Sequence, residues 1–334
     1  MLKLRLSILL LPLSILYGCI QKLRRKLYQS GFFPSEKLPG TTISVGNLEV
    51  GGTGKSPVSI AIANELISRG AKPVIVTRGY RSGLQSDEFA VLLDRKTILE
   101  PKSRKEFFAD EARMQSAALP SVPIIIGSNR LNSCQEYLKN FSAPSHWILD
   151  DGFQHLRIKR DLDIVLMDAN RPLDNGLVLP SGRLREFKGT LNYADVILLT
   201  RSSDTNTPEK LNTFASKIIH CPFSNGSPVF RHSPNGSTIQ PDSTSKISLV
   251  CGIAKPQQLI SSVIKMGLKI QSELLIGDHK PFDRDAIIKS SKDCDVILTT
   301  DKDYFRDPSV FESLPTPVAT IPLQADIADL VKSL

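Results

Sequence analysis

The chain has 334 residues, 41% of them apolar, a length that suggests about two domains with real hydrophobic cores. Its net charge of +8 and pI of about 9.2 suit an acidic partner, whether nucleic acid, an anionic membrane or a phosphorylated ligand. The five cysteines are scattered and include no C-x-x-C pair, which argues against a disulfide framework and against a zinc site.

The N-terminus carries an uncharged run from Leu6 to Ile20, followed by a basic cluster at 22–26. This run spans roughly 23 Å as a helix, less than the ~30 Å hydrocarbon core of a bilayer, and Pro12 interrupts it. A secretory signal, a marginal spanning helix and a helix embedded in the membrane surface are the three interpretations. We favour one of the last two, a membrane anchor over residues 1–27 with the remainder cytoplasmic, because the basic cluster follows the positive-inside tendency.

After an irregular lead-in at 28–40, short apolar runs alternate with helical patterns. The runs Pro73–Val76 and Pro123–Ile126 are apolar at every position, as expected of parallel strands buried on both faces. The alternation predicts a doubly wound sheet. We predict strands at 41–46, 72–77, 122–127, 145–150, 162–168 and 195–200, and helices at 55–69, 109–119 and 129–140.

A second α/β region follows two polar stretches, 201–209 and 222–245, which are predicted to be loops because they are rich in Ser, Thr, Asn, Pro and Gly. We therefore predict a core domain at 28–215 and a second α/β domain at 216–334. Within the second domain, strands are predicted at 247–252, 270–275, 295–300 and 316–321, and helices at 255–266, at 283–291 and at the C-terminus.

A glycine-rich loop joins the first predicted strand to the first predicted helix, with the sequence Gly51-Gly52-Thr53-Gly54-Lys55-Ser56. Strand, glycine loop, Lys-Ser and helix are the layout of a phosphate-binding P-loop. Glycines let main-chain N–H groups surround a polyphosphate, and the helix N-terminus adds partial positive charge. Lys55 can reach the β and γ oxygens, and Ser56 can ligate Mg²⁺. The strict signature has one more glycine, where this chain has Glu49.

Acidic residues lie at other element ends. Asp150-Asp151 ends strand 145–150, where ligands bind in open α/β sheets and where a P-loop enzyme holds Mg²⁺. Two solvated loop carboxylates are the simpler alternative. Asp110-Glu111 opens a predicted helix, and helix-end electrostatics alone explains acids there. His155 follows the Asp pair, and a lone histidine is more often structural than catalytic.

Three further charged motifs have both a functional and an ordinary explanation. Arg183 and Arg185 offer planar cations suited to phosphate, or belong to a solvated loop. Asp278-His279 is either an acid–imidazole base or a turn. Thr300-Asp301-Lys302-Asp303 is similar to base-recognition motifs of GTPases, or is a charged strand end.

In their order along the chain, these motifs resemble tetraacyldisaccharide 4'-kinase, the lipid A kinase of Gram-negative bacteria. They cover residues 41 to about 305, and the N-terminal anchor is also similar to that of the family. The family shares the absent first glycine of the loop, and it usually has Gly-Asp-Glu where this chain has Ala109-Asp110-Glu111. The matching segments are Val45–Pro57, Thr77–Tyr80, Ala109–Glu111, Asp150–His155, Leu179–Glu186, Asp278-His279 and Thr300–Asp303.

The resemblance implies a P-loop NTPase-like parallel sheet domain, a second smaller α/β domain closing over the active site, and an N-terminal membrane-associated helix. It implies transfer of the γ-phosphate of ATP, with Mg²⁺, to the 4'-hydroxyl of tetraacyldisaccharide 1-phosphate. The place of action would be the cytoplasmic side of the bacterial inner membrane, whose lipid surface would be a partner. No nucleic-acid partner and no obligate protein partner is expected.

The resemblance also implies roles for individual residues. Asp110, assisted by His279, would be the base for the sugar hydroxyl, and Lys55 would act on the phosphates. The metal ligands would be Ser56, Asp150 and Asp151. The nucleotide contacts would be Glu49, Val50, Gly51, Gly52, Thr53, Gly54, Lys55, Ser56, Arg185 and Glu186.

Two other functions fit parts of the pattern. A non-kinase P-loop ATPase has a similar loop, but such loops usually carry another lysine before the double glycine, where this chain has Val50. A GTP-dependent binding module would use Thr300–Asp303, and nucleotide preference would distinguish it. For the kinase, we expect deletion of residues 1–27 to weaken membrane partitioning but to spare the nucleotide site.

Overall fold

A computed structural model describes residues 9–334 apart from 80–81, 102–106, 203–205, 235, 237, 239, 254 and 278–279. Its contacts divide the chain into one unit of residues 1–223 and 325–334 and a second unit of residues 224–324. The first unit thus extends past the predicted domain end at 215, to residue 223, and it also includes the C-terminal segment 325–334. Ile327 and Leu330 are buried in the first unit's core, so residues 325–334 belong to that unit.

Helix α1 runs from Leu11 to Gln29 and is the first described element. It continues through the basic cluster because Lys, Arg, Leu and Gln are good helix formers. Pro12 lies in the first turn, where its missing N–H is tolerated, so it begins the helix rather than interrupting it. Its buried residues, Ser14, Gly18 and Arg25, share one face. Among the described residues, no helix has both the length and the apolar character needed to cross a membrane.

A nine-stranded sheet forms the centre of the first unit. Its strands are β1 (Thr41–Asn47), β2 (Pro73–Thr77), β3 (Phe89–Leu93), β4 (Lys96–Leu99), β5 (Ile124–Gly127), β6 (His146–Asp150), β7 (Leu162–Asp168), β8 (Val196–Thr200) and β9 (Ile218–Cys221). Their order is β4-β3-β5-β2-β6-β1-β7-β8-β9, and all neighbours are parallel except the pairs that include β3. The helices packed on it include α2 (Lys55–Ser68), α3 (Asp110–Ala118) and α4 (Arg130–Asn140).

Both faces of this sheet are covered, as the apolar runs predicted. Ile75 packs in the same core as Val58 and Ile62 of α2. Val74 and Val76 point to the other face and share a core with residues of α4. Successive strand residues therefore alternate between two buried layers, which explains why the sequence shows no polar alternation. The prediction of a mixed α/β fold with a large, mostly parallel sheet is confirmed.

Strands β3, β4 and β9 of the first unit were not predicted. The antiparallel hairpin β3–β4 closes through Asp94 and Arg95, both with positive φ (47° and 64°), as a two-residue hairpin turn requires. Asp-Arg lacks the glycine that usually marks such a turn, so no local signal predicted the hairpin. The predicted C-terminal helix is wrong: the chain ends in a short 3₁₀ segment, Val331–Ser333, which follows the core residue Leu330.

The second unit is built on a smaller, mostly parallel sheet. Its strands are β11 (Val229–His232), β12 (Lys246–Cys251), β13 (Lys269–Leu275), β14 (Val296–Thr300) and β15 (Val318–Ile321), in the order β11-β15-β14-β12-β13. Its helices are α5 (Pro256–Lys265), α6 (Arg284–Ser291), α7 (Asp301–Arg306) and α8 (Pro308–Glu312). Strands β10 (Phe223–Asn225) and β16 (Leu323–Ala325) pair where the chain passes between the units. Strands β10 and β11 lie where loop was predicted.

Candidate active site at the carboxyl ends of the central strands

The loop between β1 and α2 has the backbone geometry that its glycines permit. Gly51 and Gly54 have positive φ (126° and 88°), where an L side chain is strained. A Cβ on Gly54 would also lie 2.3 Å from the Phe223 ring. Gly54 is the N-cap of α2, and the described residues supply no side-chain cap and no acid in the first turn. The N–H groups of that turn are therefore available to an anion.

Three hydrogen bonds hold the loop from different sides. Asn47 Nδ2, at the end of β1, donates to Thr53 Oγ1 at 3.1 Å. The main-chain N–H of Val50 donates to the carbonyl of Arg183 at 2.8 Å. Thr200 Oγ1, at the end of β8, donates to the carbonyl of Thr53 at 3.0 Å. The loop is thus fixed before any ligand arrives, so its N–H groups need little reorganisation.

Lys55, Asp151 and Arg185 meet beside this loop. Lys55 Nζ lies 3.5 Å from Asp151 Oδ1. Arg185 Nη1 donates to both carboxylate oxygens of Asp151, at 2.9 and 3.0 Å, and to Gln154 Oε1 at 3.1 Å. Burial alone would raise the pKa of Asp151, but the charges of Lys55 and Arg185 together lower it. The structure therefore brings together three sequence-predicted residues in one charged group, in which Asp151 is ionised.

Asp150 lies deeper, at the end of β6. Its Oδ2 accepts a hydrogen bond from Gln115 Nε2 at 2.6 Å, whereas its Oδ1 is buried and has no partner among the described residues. Burial raises the pKa of this carboxyl. A buried oxygen without a partner is costly, and a cation or its water would satisfy it. The chemistry of this carboxylate therefore fits a divalent metal.

No cluster of three or more His, Cys, Asp or Glu able to hold a metal occurs in the part of the chain that the structure describes. Mg²⁺ does not need one, because it commonly takes one or two carboxylates and completes its shell with phosphate and water. Ser56, in the first turn of α2, is the third predicted ligand.

Asp110 and Glu111 begin α3 beside the end of β2. They line a small cleft with Thr77, Gly79, Ala109 and Ala112. Asp110 Oδ1 accepts the main-chain N–H of Glu111 at 2.9 Å. The Glu111 side chain reaches solvent, yet the surrounding protein and the charges of Asp150 and Asp110 raise its pKa to about 7. The start of α3 is therefore electrically coupled to the Asp150 carboxylate.

Two predicted nucleotide contacts have buried side chains. Glu186 is buried and accepts two hydrogen bonds from Arg25 of α1, at 2.8 and 2.9 Å. The Glu49 carboxyl is also buried, and desolvation raises its pKa. Asp278 and His279 lie outside the described residues, so the predicted role of His279 stays a prediction.

Three residues near the site were not assigned a role from sequence. Glu111 was explained as a helix-end acid, and Gln115 was not considered. Their spacing of four residues on a predicted helix places both on one face, which is the signal that could have found them. Arg25 gave no signal, because it lies within a basic cluster whose members look alike in sequence.

Thr300–Asp303 has a structural explanation within the second unit. Thr300 is the N-cap of α7, and its Oγ1 accepts the main-chain N–H of Asp303 at 3.1 Å. The Asp303 side chain is buried and accepts the N–H of Gly252 at 2.9 Å. Helix capping and loop fixation therefore account for the pattern that resembles a base-recognition motif.

His155 is placed as a neutral structural residue. It is half-buried, and its Nε2 is buried with no partner among the described residues. Burial, followed by the charges of Arg130 and Arg160, lowers its pKa to about 3. A neutral imidazole at this position avoids repulsion with the surrounding arginines.

We expect His155→Gln to make the protein less sensitive to acid. The folded His155 resists protonation until about pH 3, whereas the unfolded residue takes a proton below about pH 6.5. Wild-type stability therefore falls as pH drops through this window, by at most about 1.4 kcal/mol per pH unit from this residue. Urea unfolding of both proteins at pH 7.5 and pH 5.0 measures the change in the free energy of unfolding, with pH 7.5 as the internal reference. Equal pH dependence in both proteins would contradict the assignment.

A cavity of about 280 Å³ lies on the other side of the glycine loop, at the ends of β7 and β8. Arg201 forms one wall: its Nη1 donates to Asp168 Oδ2 at 3.0 Å, and to the carbonyl of Gly52 at 3.3 Å. Asn170 and Thr207 also line it. The edge of the sheet thus offers space on both sides of the loop, with Asp150 and Asp151 on the β6 side and Asp168 at the end of β7.

Comparisons with known proteins extend over the whole chain. A family model described as tetraacyldisaccharide-1-P 4'-kinase matches residues 6–334. The tetraacyldisaccharide 4'-kinase of Desulfotalea psychrophila is 35% identical over 317 residues, covering 91% of this chain and 89% of that protein. That of Pelobacter propionicus is 34% identical over 303 residues, covering 88% and 81%.

A solved structure is similar in fold as well as in sequence. It is the "apo" form of LpxK from Aquifex aeolicus in complex with ATP, which superposes with a TM-score of 0.73 at 25% identity and covers 98% of each chain. The similarity extends over both units, and that relative was solved in complex with ATP.

Proposed function

The chain belongs to the tetraacyldisaccharide-1-P 4'-kinase family, and we propose that it transfers the γ-phosphate of ATP to the 4'-hydroxyl of tetraacyldisaccharide 1-phosphate in lipid A biosynthesis. The observation that carries this proposal is the group of Lys55, Asp151 and Arg185 beside a glycine loop at a helix N-terminus. Phosphoryl transfer depends mainly on positioning and charge neutralisation, which this group supplies.

The glycine loop would hold the triphosphate of ATP as a P-loop does. The first-turn N–H groups of α2 are available to the phosphates, and Lys55 would neutralise the β and γ oxygens. Arg185 keeps Asp151 in place while Lys55 turns from this carboxylate to the phosphates. The nucleoside would lie over β7 and β8, in the cavity beside Arg201, because Asp150 and Asp151 occupy the β6 side and Arg201 neutralises Asp168 on the β7 side.

A magnesium ion would be held by Ser56, Asp150 and Asp151, and the unpartnered Oδ1 of Asp150 supports this assignment. Bound there, Mg²⁺ neutralises charge on the phosphate oxygens. Gln115 contributes by fixing the other oxygen of Asp150, which orients the carboxylate.

Asp110 would act as the base for the acceptor. Its place in the cleft at the end of β2 supports this role, on the same side of the loop as Asp150. It accepts the proton of the 4'-hydroxyl as that oxygen bonds to the γ-phosphorus and ADP leaves. His279 would assist by sharing the proton, since a sugar hydroxyl is a very weak acid.

The lipid acceptor implies that the enzyme works at a membrane surface. Leu13, Leu16, Ile20 and Leu23 of α1 expose more than half of their surface, and lysines lie among them at 22 and 26. A helix of this kind inserts its apolar side into the headgroup region, and its cations are attracted to anionic lipid headgroups. We propose that the protein works at the cytoplasmic side of the bacterial inner membrane; these exposed residues support its contact with the lipid surface.

Incubation with radiolabelled ATP, Mg²⁺ and the disaccharide 1-phosphate in detergent tests the function. We expect label in the glycolipid, read by chromatography, and a preference for ATP over GTP. Release of labelled phosphate without labelled lipid would instead favour the ATPase alternative. A requirement for GTP would favour the binding module.

We expect the double variant Leu16→Asn/Ile20→Asn to bind vesicles more weakly than the wild type. Both side chains are exposed, at 58% and 54%, and lie one turn apart on α1. Flotation with vesicles containing anionic phospholipid measures the bound fraction. Val229→Asn, at an apolar residue of the second unit that is 39% exposed, is the matched control. Equal flotation of both variants would argue against insertion of α1.

A further inference from the structure

Helix α1 is fastened to the loop that carries Arg185. Near its start, Ser14 Oγ accepts the buried main-chain N–H of Ser181 at 2.9 Å. One turn later, α1 approaches the same loop so closely that a Cβ on Gly18 would lie 2.3 Å from the Phe187 ring. A helix that served only to hold lipid would need neither contact.

Arg25 makes the strongest of these attachments. It is 4% exposed and contacts Glu186 with two nitrogens, Nε at 2.8 Å and Nη2 at 2.9 Å. Nη2 also donates to the carbonyl of Phe153 at 3.2 Å, and the guanidinium lies 4.6 Å from the centre of the Phe153 ring. A buried ion pair with this geometry is specific, and removal of one partner leaves an uncompensated charge.

The attachment leads directly to the phosphate site. Glu186 directly follows Arg185 in the chain. Arg185 donates to both carboxylate oxygens of Asp151, and Asp151 lies beside Lys55. A second connection runs in parallel: Arg24 Nη1 donates to the carbonyl of Gln154 at 3.2 Å, and the side-chain oxygen of Gln154 accepts from Arg185 at 3.1 Å.

We propose that Arg25 is a positioning residue for phosphoryl transfer: by holding Glu186, it sets the Arg185 guanidinium that orients Asp151 against Lys55. This inference rests on the proposed function and extends it to the N-terminal helix. The helix then has two tasks, since its exposed side meets lipid while its buried side completes the nucleotide site. The expectation that residues 1–27 can be deleted without cost to that site is at odds with these contacts.

Arg25→Met tests the proposal, because methionine fills similar space without the charge. Lys188→Met is the matched control, since Lys188 is an exposed cation two residues after Glu186 in the same loop. For each purified full-length variant in detergent, titration calorimetry gives the Kd of ATP and steady-state assays give kcat and KM. Vesicle flotation reports membrane binding separately.

We expect Arg25→Met to weaken ATP binding or lower kcat/KM for ATP by about tenfold or more, and Lys188→Met to stay within about twofold. Flotation of Arg25→Met should match the wild type, because Arg25 faces the protein. In the double variant Arg25→Met/Glu186→Gln, the loss of ATP affinity or of kcat/KM should be smaller than the losses of the two single variants combined. The neutral amide of glutamine removes the unpaired buried charge that Arg25→Met leaves behind. If Arg25→Met does not fold, Arg25→Lys should show a smaller loss in the same direction, because lysine lacks the two-pronged contact.

Wild-type ATP affinity and kcat in Arg25→Met would overturn the proposal, as would equal losses in Lys188→Met. A lower unfolding midpoint with unchanged Kd and kcat would also overturn it, by showing that Arg25 only stabilises the fold. If the wild type binds ATP but does not label the glycolipid, the proposed function fails, and the Kd comparison still decides the role of Arg25.

Discussion

Replacement of Lys55 by alanine is expected to abolish phosphate transfer while leaving the fold intact. Lys55 is the side chain that we propose neutralises the β and γ oxygens, and loss of such a group typically costs about 10²–10³-fold in kcat. The fold should survive because Asp151 keeps both hydrogen bonds from Arg185. The initial rate of glycolipid labelling measures activity, and urea unfolding checks the fold.

Lys139→Ala is the control for this experiment. Lys139 is exposed on α4 and pairs with Glu136 one turn away, so its loss removes an equal charge from a surface ion pair. It should keep wild-type turnover. Near-normal turnover in Lys55→Ala would refute the assignment of the glycine loop to phosphate binding.

Asp110→Ala should lower kcat far more than it raises the KM for ATP. A general base acts in the chemical step and typically contributes about 10²–10⁴-fold, whereas ATP would bind at the glycine loop rather than in the cleft of Asp110. Steady-state kinetics at saturating acceptor separates the two constants.

Asp285→Ala provides the comparison for Asp110. Asp285 is an exposed carboxylate in the first turn of α6, so its removal costs a similar helix-end interaction without touching the cleft. Its kinetics should be those of the wild type. An effect of Asp110→Ala confined to KM would exclude the base role.

Local sequence was sufficient wherever one short segment decides both structure and chemistry. The glycine loop is an example, since positive φ at Gly51 and Gly54 and the lysine of the following helix are all encoded within six residues. The ends of strands were also predictable, because unbroken apolar runs such as Pro73–Val76 stop where the polar residues begin. The acids at Asp150-Asp151 could therefore be placed at the edge of the sheet.

Segments with weak or conflicting local signals were predicted less well. The hairpin turn at Asp94 and Arg95 lacks a glycine, so the β3–β4 edge was missed. The C-terminal segment looked helical, but it packs Ile327 and Leu330 into the core without forming an α-helix. The burial of β3 and of these two residues depends on contacts with neighbouring elements, which cannot be read from a short window.

The sequence by itself determined the family, the α/β architecture and the glycine loop with its lysine, because strand periodicity and loop chemistry act over a few neighbouring positions. Only the tertiary structure decided which partner each charge takes. Arg25 and Glu186 are separated by 161 positions, and Gln115 and Asp150 by 35. In the unfolded chain each of these groups is solvated alike, and only burial makes the choice of partner costly to change. The fold therefore selects Arg25 from a cluster of similar cations and joins the N-terminal helix to the phosphate site.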